Sequence, residues 1–207
     1  MFHLRNILKL IRRQFIHSAY SHENTIYRQA KKLYFNVDCS GFVTFWLSKY
    51  YPMAFQEIHN YVTEIKKVPA EEFKRLYSFD FLDFFNYLDE HKSVQWQSLT
   101  SGEKLQKGDI VSFARVHPRA RFGHIAVILE VLRQTPQKWV IRVCDSSDCL
   151  HEDDTRCKNM GIGSGIIRIY NPEAEVSIVK YSRLGKKYER IVRCGRLKEL
   201  KKEPECQ

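Results

Sequence analysis

The spacing of hydrophobic positions changes near residue 108, and this change divides the chain into two parts. Before it, apolar residues recur at helical spacing: Phe42, Phe45 and Trp46 share one face of a predicted helix, and residues 54–92 are helical and rich in aromatic side chains. After it, short apolar runs predict six strands, over 110–113, 125–132, 139–144, 165–170, 176–181 and 188–194. Their short connections favour antiparallel pairing. The predicted fold class is therefore α+β, with helices preceding a roughly six-stranded antiparallel sheet.

The 207 residues contain no internal repeat or linker that would divide them, so we predict one domain over 1–207. Within it we expect a basic amphipathic helix over 1–18, a helical insertion over 54–92 and a charged tail over 195–207. The first helix is more typical of one that packs on its own domain than of one that binds a membrane surface. Basic residues interrupt the apolar N-terminal positions, and no run of about 18 apolar residues occurs, which predicts neither a secretion signal nor a transmembrane helix. The predicted location is cytoplasmic, with unconventional export as the alternative.

The net charge and the cysteine content indicate which partners and which cellular compartment to expect. The 34 Lys and Arg residues exceed the 24 Asp and Glu residues, giving a net charge of +10 that attracts polyanions. Much of the excess lies near the two ends, where charge more often forms a solvated face, so no stable nucleic-acid partner is predicted. Six cysteines are neither dense nor regularly spaced, which favours a reducing compartment over a disulfide framework. The oligomeric state does not follow from the sequence.

The stretch Asp38-Cys39-Ser40-Gly41-Phe42 carries the most specific chemistry in the chain. Asp38 is a good helix N-cap, which puts Cys39 at the start of the predicted helix. There the helix dipole and the unpaired N–H groups favour the thiolate, the nucleophilic form of cysteine. Gly41 allows another chain segment to approach closely. A small buried core residue is the alternative interpretation of Cys39.

A thiol nucleophile needs a base and a group that orients the base. His124 begins a predicted strand, which would fix its ring, and Asp145 ends the next strand, so adjacent antiparallel strands can bring the two together. His117, in the preceding loop, is the rival base. If Asp145 only starts a turn, three other residues could orient the base: Asp148, His151 and Asp154.

At these positions the chain resembles the NlpC-like, papain-fold cysteine peptidases, a family that includes bacterial cell-wall endopeptidases and amidases. The resemblance rests on residues 38–42 at the head of a helix, on Lys-Gly-Asp-Ile-Val-Ser-Phe over 107–113, and on Gly-His-Ile-Ala-Val over 123–127. It implies a papain-like fold in which the nucleophile helix packs on the sheet. It also implies a catalytic triad of Cys39, His124 and Asp145 that cleaves a peptide or cell-wall fragment without a cofactor.

The resemblance further implies binding roles for the residues beside the nucleophile. Asp38 would face a peptide amine, Ser40 a carboxylate, and the backbone N–H of Cys39 the oxyanion. The chain departs from the family in three respects. The family segment Tyr-x-Trp-Gly-Gly before the cysteine is absent, and Tyr34 is the nearest tyrosine that could replace its tyrosine. The separation of Cys39 from His124, 124 − 39 = 85 positions, is long, and the third residue is an acid in place of His, Asn or Gln.

Residues 144–156, together with the adjacent Cys157, concentrate residues of the types that bind metal ions. These are Cys144, Cys149, His151 and Cys157, but their spacing fits none of the common zinc patterns. No metal is therefore predicted. A loop at the rim of the active site, with Arg156 or Asp154 reaching the substrate, fits this stretch better. The glycine-rich run over 161–165 lacks the lysine and the helix of a phosphate-binding loop, and a flexible connection or a bulge is expected there.

Two classes of function follow. The leading hypothesis is a cysteine peptidase or amidase that acts on peptidoglycan stem peptides or a related peptide through an acyl-enzyme. The second is a non-catalytic domain that uses its positive charge to bind nucleic acid or anionic surfaces. A papain-like acyltransferase is a further alternative, although no apolar membrane anchor in the sequence supports it.

Overall fold

The structure is a computed structural model. It describes residues 17–29, 32–69, 73, 75–99, 102–116, 123–156, 160–181 and 183–198.

A closed antiparallel barrel of six strands forms the centre of the fold. Its strands are β5 (Ile110–Ala114), β6 (Gly123–Thr135), β7 (Lys138–Ser147), β8 (Gly161–Tyr170), β9 (Ser177–Lys180) and β10 (Tyr188–Leu197). Each strand pairs with the next along the chain from β5 to β9, and β10 closes the barrel by pairing with both β9 and β5. A further strand, β4 (Trp96–Leu99), pairs with β10 outside the ring. All six strands lie where the hydrophobic pattern predicted them.

The predicted α+β, papain-like architecture with helices packed on an open sheet is wrong. The part of the chain that the structure describes is mostly β, and its three α-helices have only 9 to 12 residues. Closure depends on β10, whose residues 188–190 pair with β9 while residues 191–195 pair with β5. Hydrophobic alternation shows which face of a strand is buried, but it does not show which strands pair along its two edges. The sequence pattern therefore could not distinguish an open sheet from a barrel.

Two hydrophobic cores lie on opposite sides of the barrel wall. Along β6, Ala126 and Ile128 belong to the inner core, whereas Ile125 and Val127 belong to a core shared with the helices. Because both faces of these strands are buried, their sequences are nearly continuous runs of apolar residues. The barrel is filled by its own side chains, so a binding site must lie at its ends or on its outside.

The helices cover part of the outer face. α1 (Cys39–Tyr50), α2 (Pro52–Asn60), a π-helical segment (Tyr61–Ile65) and α3 (Ser78–Tyr87) form this layer. The last two fall within the predicted insertion 54–92, and α2 begins two residues before it. None of the helices that the structure describes is long and apolar enough to cross a bilayer.

A small three-stranded sheet precedes the helices, with β1 (His17–Ala19) and β2 (Thr25–Gln29) on either side of β3 (Lys32–Asn36). β1 begins within the segment predicted as the N-terminal helix, and residues 1–16 of that segment lie outside the described residues. β10 extends to Leu197 and so includes the first residues of the predicted tail, of which 199–207 lie outside the described residues.

Candidate active site at the end of the barrel

Cys39 is the first residue of α1, as the sequence predicted. The Asp38 side chain caps the helix by accepting a hydrogen bond from the Gly41 N–H at 2.8 Å, and the Asp38 carbonyl accepts the first helical bond from Phe42 at 3.0 Å. The Cys39 side chain is nearly buried. The thiol therefore lies at the helix N-terminus, where the first N–H groups have no partner within the helix and the helix dipole favours negative charge.

Gly41 permits a close approach that fixes the chain before the helix. A Cβ at this position would lie 1.6 Å from Asn24 Oδ1. That oxygen accepts a hydrogen bond from the Asp38 backbone N–H at 3.0 Å. The predicted reason for glycine at position 41 is confirmed, and the segment that approaches it is the one around Asn24.

His124 and Asp145 lie at one end of the barrel. His124 alternates in phase with the inward-facing Ala126 and Ile128, and Asp145 with Val143, so both side chains point toward the barrel axis. The β6–β7 pairing ends at Val127 and Cys144, just short of both residues. The segment leading into α1 is tied to the same end, because Ser146 Oγ donates a hydrogen bond to the Val37 carbonyl at 2.6 Å.

Cys39, His124 and Asp145 lie next to one another. His124 Nε2 donates a hydrogen bond to Asp145 Oδ2, and the Cys39 thiol lies close enough to the His124 ring to raise the pKa of the imidazole. Burial by itself lowers the pKa of His124, but Cys39 and Asp145 outweigh it and raise the pKa well above its usual value. The arrangement therefore favours an imidazolium next to Cys39.

Asp145 is held from its other side by two further residues. His151 Nε2 donates to Asp145 Oδ2 at 2.7 Å, and the Arg156 guanidinium pairs with Oδ1. The side chains of Asp145, His151 and Arg156 are inaccessible to solvent. Burial by itself would raise the pKa of Asp145, but the charges of His151, Arg156 and His124 outweigh it and lower the pKa well below its usual value. Asp145 is thus an ionised carboxylate with three fixed donors.

Glycines on β8 make room for these two partners. The loop between β7 and β8 folds back over β8, and Glu152 forms a bridge with Ile166. A Cβ on Gly163 would lie 2.4 Å from Arg156 Cγ, and one on Gly165 would lie 2.5 Å from His151 Cβ. Gly163 is the residue paired with Asp145 across the strands. The run over 161–165, expected to be a flexible connection or a bulge, is therefore a regular strand that accommodates the loop.

His124, Asp145 and His151 are candidate metal ligands, since one potential ligand atom from each lies within 4.8 Å of the others. Both imidazoles direct Nε2 at the same carboxylate oxygen, as N–H donors do. The Arg156 guanidinium also already balances the carboxylate charge. The donor set fits a hydrogen-bonded network better than a divalent cation.

A second ionic group surrounds Asp38, which is 3% exposed. Its carboxylate binds the Arg75 guanidinium through both oxygens, at 2.9 and 2.7 Å. Ser40 Oγ donates to the same carboxylate at 2.9 Å, and His22 Nδ1 does so at 3.1 Å. Burial by itself would raise the pKa of Asp38, but the hydrogen bonds from Arg75, the Gly41 N–H and His22 lower it to about 2.

The predicted site residues thus fall into three groups. Cys39, His124 and Asp145 come together, with Asp38 and Ser40 beside them. Arg156, predicted to reach the substrate, is instead buried behind Asp145. Tyr34 stacks on Tyr27 in the small sheet, with ring centroids 5.0 Å apart. Of the alternatives, Asp154 pairs with Arg156, and His117 lies outside the described residues, as does Cys157 of the rejected zinc set.

Sequence reasoning missed three residues of the site, Tyr20, His22 and Arg75. Tyr20 lies close enough to Cys39 and Asp38 that, after burial, their charges are the main factors that raise the pKa of its phenol. Arg75 lies in the predicted insertion and carried no motif. His151 was identified only as an alternative to Asp145, whereas the two act on the same hydrogen-bond network. Arg75 lies 37 positions from Asp38, and a contact between residues so far apart leaves no local pattern in the sequence.

Comparison of the chain with family models, with curated proteins and with solved structures found no match.

Proposed function

We propose that this protein is a cysteine hydrolase that cleaves an amide bond. The observation that supports the proposal is the position of the Cys39 thiol beside His124, whose ring is hydrogen-bonded to Asp145. Three separate elements, α1, β6 and β7, contribute the three residues. A nucleophile, a base and an orienting carboxylate in this order form the arrangement that activates a thiol for attack on a carbonyl.

The proposed reaction begins with a Cys39 thiolate paired with a His124 imidazolium. The sulfur attacks the carbonyl carbon of the substrate, and the oxygen that becomes negative accepts a hydrogen bond from the Cys39 backbone N–H. His124 gives its proton to the amine nitrogen as the C–N bond breaks, which leaves a thioester on Cys39. His124 then takes a proton from water, the hydroxide attacks the thioester, and the acid is released with the thiol restored.

The substrate that we propose to test first is a peptidoglycan stem peptide, followed by other short peptides. This choice rests on the resemblance of residues 38–42, 107–113 and 123–127 to the NlpC-like family. An acyltransferase would share the first half of the reaction and would differ in using an acceptor other than water. The ratio of hydrolysis to transfer in the presence of an added amine or alcohol separates these two outcomes.

The test combines labelling with trapping of the intermediate. Iodoacetamide at neutral pH should label Cys39, and incubation with substrate should add the acyl mass to the peptide that contains Cys39. Cys39→Ala should lose both signals together with any hydrolysis. Cys149→Ala serves as the control, because Cys149 is a partly exposed free thiol in the neighbouring loop and should leave hydrolysis intact.

Two results would overturn the proposal. Equal overall labelling of the wild type and Cys39→Ala would remove the assigned nucleophile. Hydrolysis that persists in Cys39→Ala but is lost on chelation would indicate metal chemistry at His124, Asp145 and His151. An unreactive Cys39, together with steeply salt-dependent binding to a polyanion, would support a binding domain instead.

A further inference from the structure

The Asp38 carboxylate next to the nucleophile has little capacity left for a ligand. Oδ1 accepts hydrogen bonds from Ser40 Oγ, from the Gly41 N–H and from Arg75 Nη1, at 2.8 to 2.9 Å. Oδ2 accepts from Arg75 Nη2 at 2.7 Å and from His22 Nδ1 at 3.1 Å. An ionised carboxylate offers about four lone-pair directions, and five donors already surround this one.

The Arg75 guanidinium is itself fixed in place. Its carbon lies 4.3 Å from the centroid of the Tyr77 ring, and Nη1 also donates to Ser40 Oγ at 3.1 Å. Only 20% of the Arg75 side chain is exposed, against 5% of the Asp38 side chain. A planar guanidinium bound through two nitrogens and stacked on an aromatic ring is a geometry that lysine cannot reproduce.

The two opposite charges therefore cancel beside Cys39. His22, whose side chain is 72% exposed, lies at the outer side of Asp38 and adds positive charge when protonated. A substrate ammonium group would have to displace Arg75 from Asp38, leaving a half-buried guanidinium without its carboxylate. Removing one partner of a buried ion pair is strongly unfavourable.

We propose that the Asp38–Arg75 pair makes the subsite beside Cys39 electrically neutral, and that the enzyme selects substrates with no free ammonium group at this position. This inference rests on the proposed function of Cys39. It replaces the role toward a peptide amine that the resemblance implied for Asp38. The substrate class is then an N-acylated amino acid, or a peptide cleaved away from its free amino terminus.

The experiment uses two thiol reagents that differ in one ammonium group, alanyl chloromethyl ketone and its N-acetyl derivative. The second-order rate constant for alkylation of Cys39 is measured with each reagent by mass spectrometry of the full chain. For Cys39, the rate constant with the acetylated reagent is divided by the rate constant with the free-amine reagent. This ratio is then divided by the same ratio measured on a small free thiol, which corrects for the different intrinsic reactivities of the two reagents. The wild type should give a normalised ratio above one.

Variants then change the local charge in both directions. Arg75→Gln leaves Asp38 negative and should lower the ratio about tenfold, as expected for one unit charge at roughly 8 Å in a medium of effective permittivity about 30. Asp38→Asn keeps a good N-cap, leaves Arg75 positive and should raise the ratio. Arg133→Gln removes an exposed charge on β6 and should match the wild type.

Folding is checked by thermal unfolding of each variant, and Arg75→Lys provides a second test because it keeps the charge without the bidentate geometry. Its ratio should lie near that of the wild type. A wild-type ratio below one, or a ratio that stays constant across all charge variants, would overturn the neutral subsite. Either result leaves the proposed nucleophile intact so long as Cys39 is alkylated, whereas an unreactive Cys39 in every protein overturns the proposed function itself.

Discussion

Replacing Asp145 by Asn is the sharpest perturbation of the proposed site. The two side chains have nearly the same shape, but asparagine has no charge and presents an NH2 group in place of one oxygen. Asp145 is fully buried, and each of its oxygens already faces a donor: Arg156 at Oδ1, and His124 and His151 at Oδ2. In either orientation of the amide, an N–H group therefore points at another N–H group.

The contacts of Asp145 indicate how much the free energy of unfolding should fall in Asp145→Asn. Removing one member of a buried ion pair costs about 3–5 kcal/mol, because the remaining charge stays buried without its partner. Arg156 keeps a second carboxylate, Asp154, which pairs with Nη1. We therefore expect a loss near the lower end of that range, about 3 kcal/mol.

The same substitution should slow Cys39. Burial lowers the pKa of His124, while the charges of Cys39 and Asp145 raise it. Without the Asp145 charge the pKa falls, so less imidazolium is present at neutral pH to stabilise the thiolate. We expect the alkylation rate of Cys39 at pH 6 to fall at least tenfold.

Urea unfolding at pH 7 measures the first effect, and iodoacetamide alkylation at pH 6 measures the second. Asp153→Asn, in the loop that follows β7, is the matched control, because its side chain is 72% exposed and pairs with Arg142. Exposed ion pairs contribute about 0–1 kcal/mol, so this variant should behave like the wild type. If Asp145→Asn matched the control in both assays, the network described here would not hold the site together.

Three further predictions concern the surroundings of the site. Gly163→Ala should destabilise the protein by about 1–3 kcal/mol in urea and slow Cys39 alkylation, because its Cβ would lie 2.4 Å from Arg156 Cγ; Gly102→Ala, with no atom within 4 Å of the added Cβ, should do neither. Gly41→Ala should also destabilise, although alanine is the better helix former by about 1 kcal/mol, because the Cβ would displace Asn24; removing that side chain in a double variant should recover part of the loss. The pKa of Asp38 is about 2 in the folded protein and about 3.9 in the unfolded chain, so the ionised carboxylate stabilises the fold at pH values above about 3.9. That contribution should disappear as the pH falls from about 4 to about 2, and Asp38→Asn should flatten the acid limb of stability against pH.

Local chemistry explains what could be predicted from the sequence. The N-cap, the thiol and the glycine of residues 38–41 are contiguous, so the start of α1 at Cys39 followed from a short stretch. The strands also followed from contiguous apolar runs, and adjacent antiparallel strands brought His124 and Asp145 together as expected.

Long-range pairing explains what could not be predicted. Closure of the barrel requires β10 to meet β5, about 80 positions earlier, and no periodicity records that contact. Arg156 looked like a substrate ligand because charged loop residues usually point to solvent, yet glycine at 163 lets it pass behind Asp145. Arg75 belongs to the site because it lies in a segment after α2 that returns to contact Asp38.

The most direct test of the central claim is the pH dependence of Cys39 alkylation, resolved by site with mass spectrometry, in the wild type and in His124→Gln. Wild-type Cys39 should keep reacting below pH 7, where a thiol of ordinary pKa about 8.5 is almost entirely protonated, and His124→Gln should lose this reactivity. Cys149, whose pKa is raised by burial, should react appreciably only at higher pH in the same sample. An alkylation rate of Cys39 that rises tenfold per pH unit in both proteins would contradict the proposed role of Cys39 and His124.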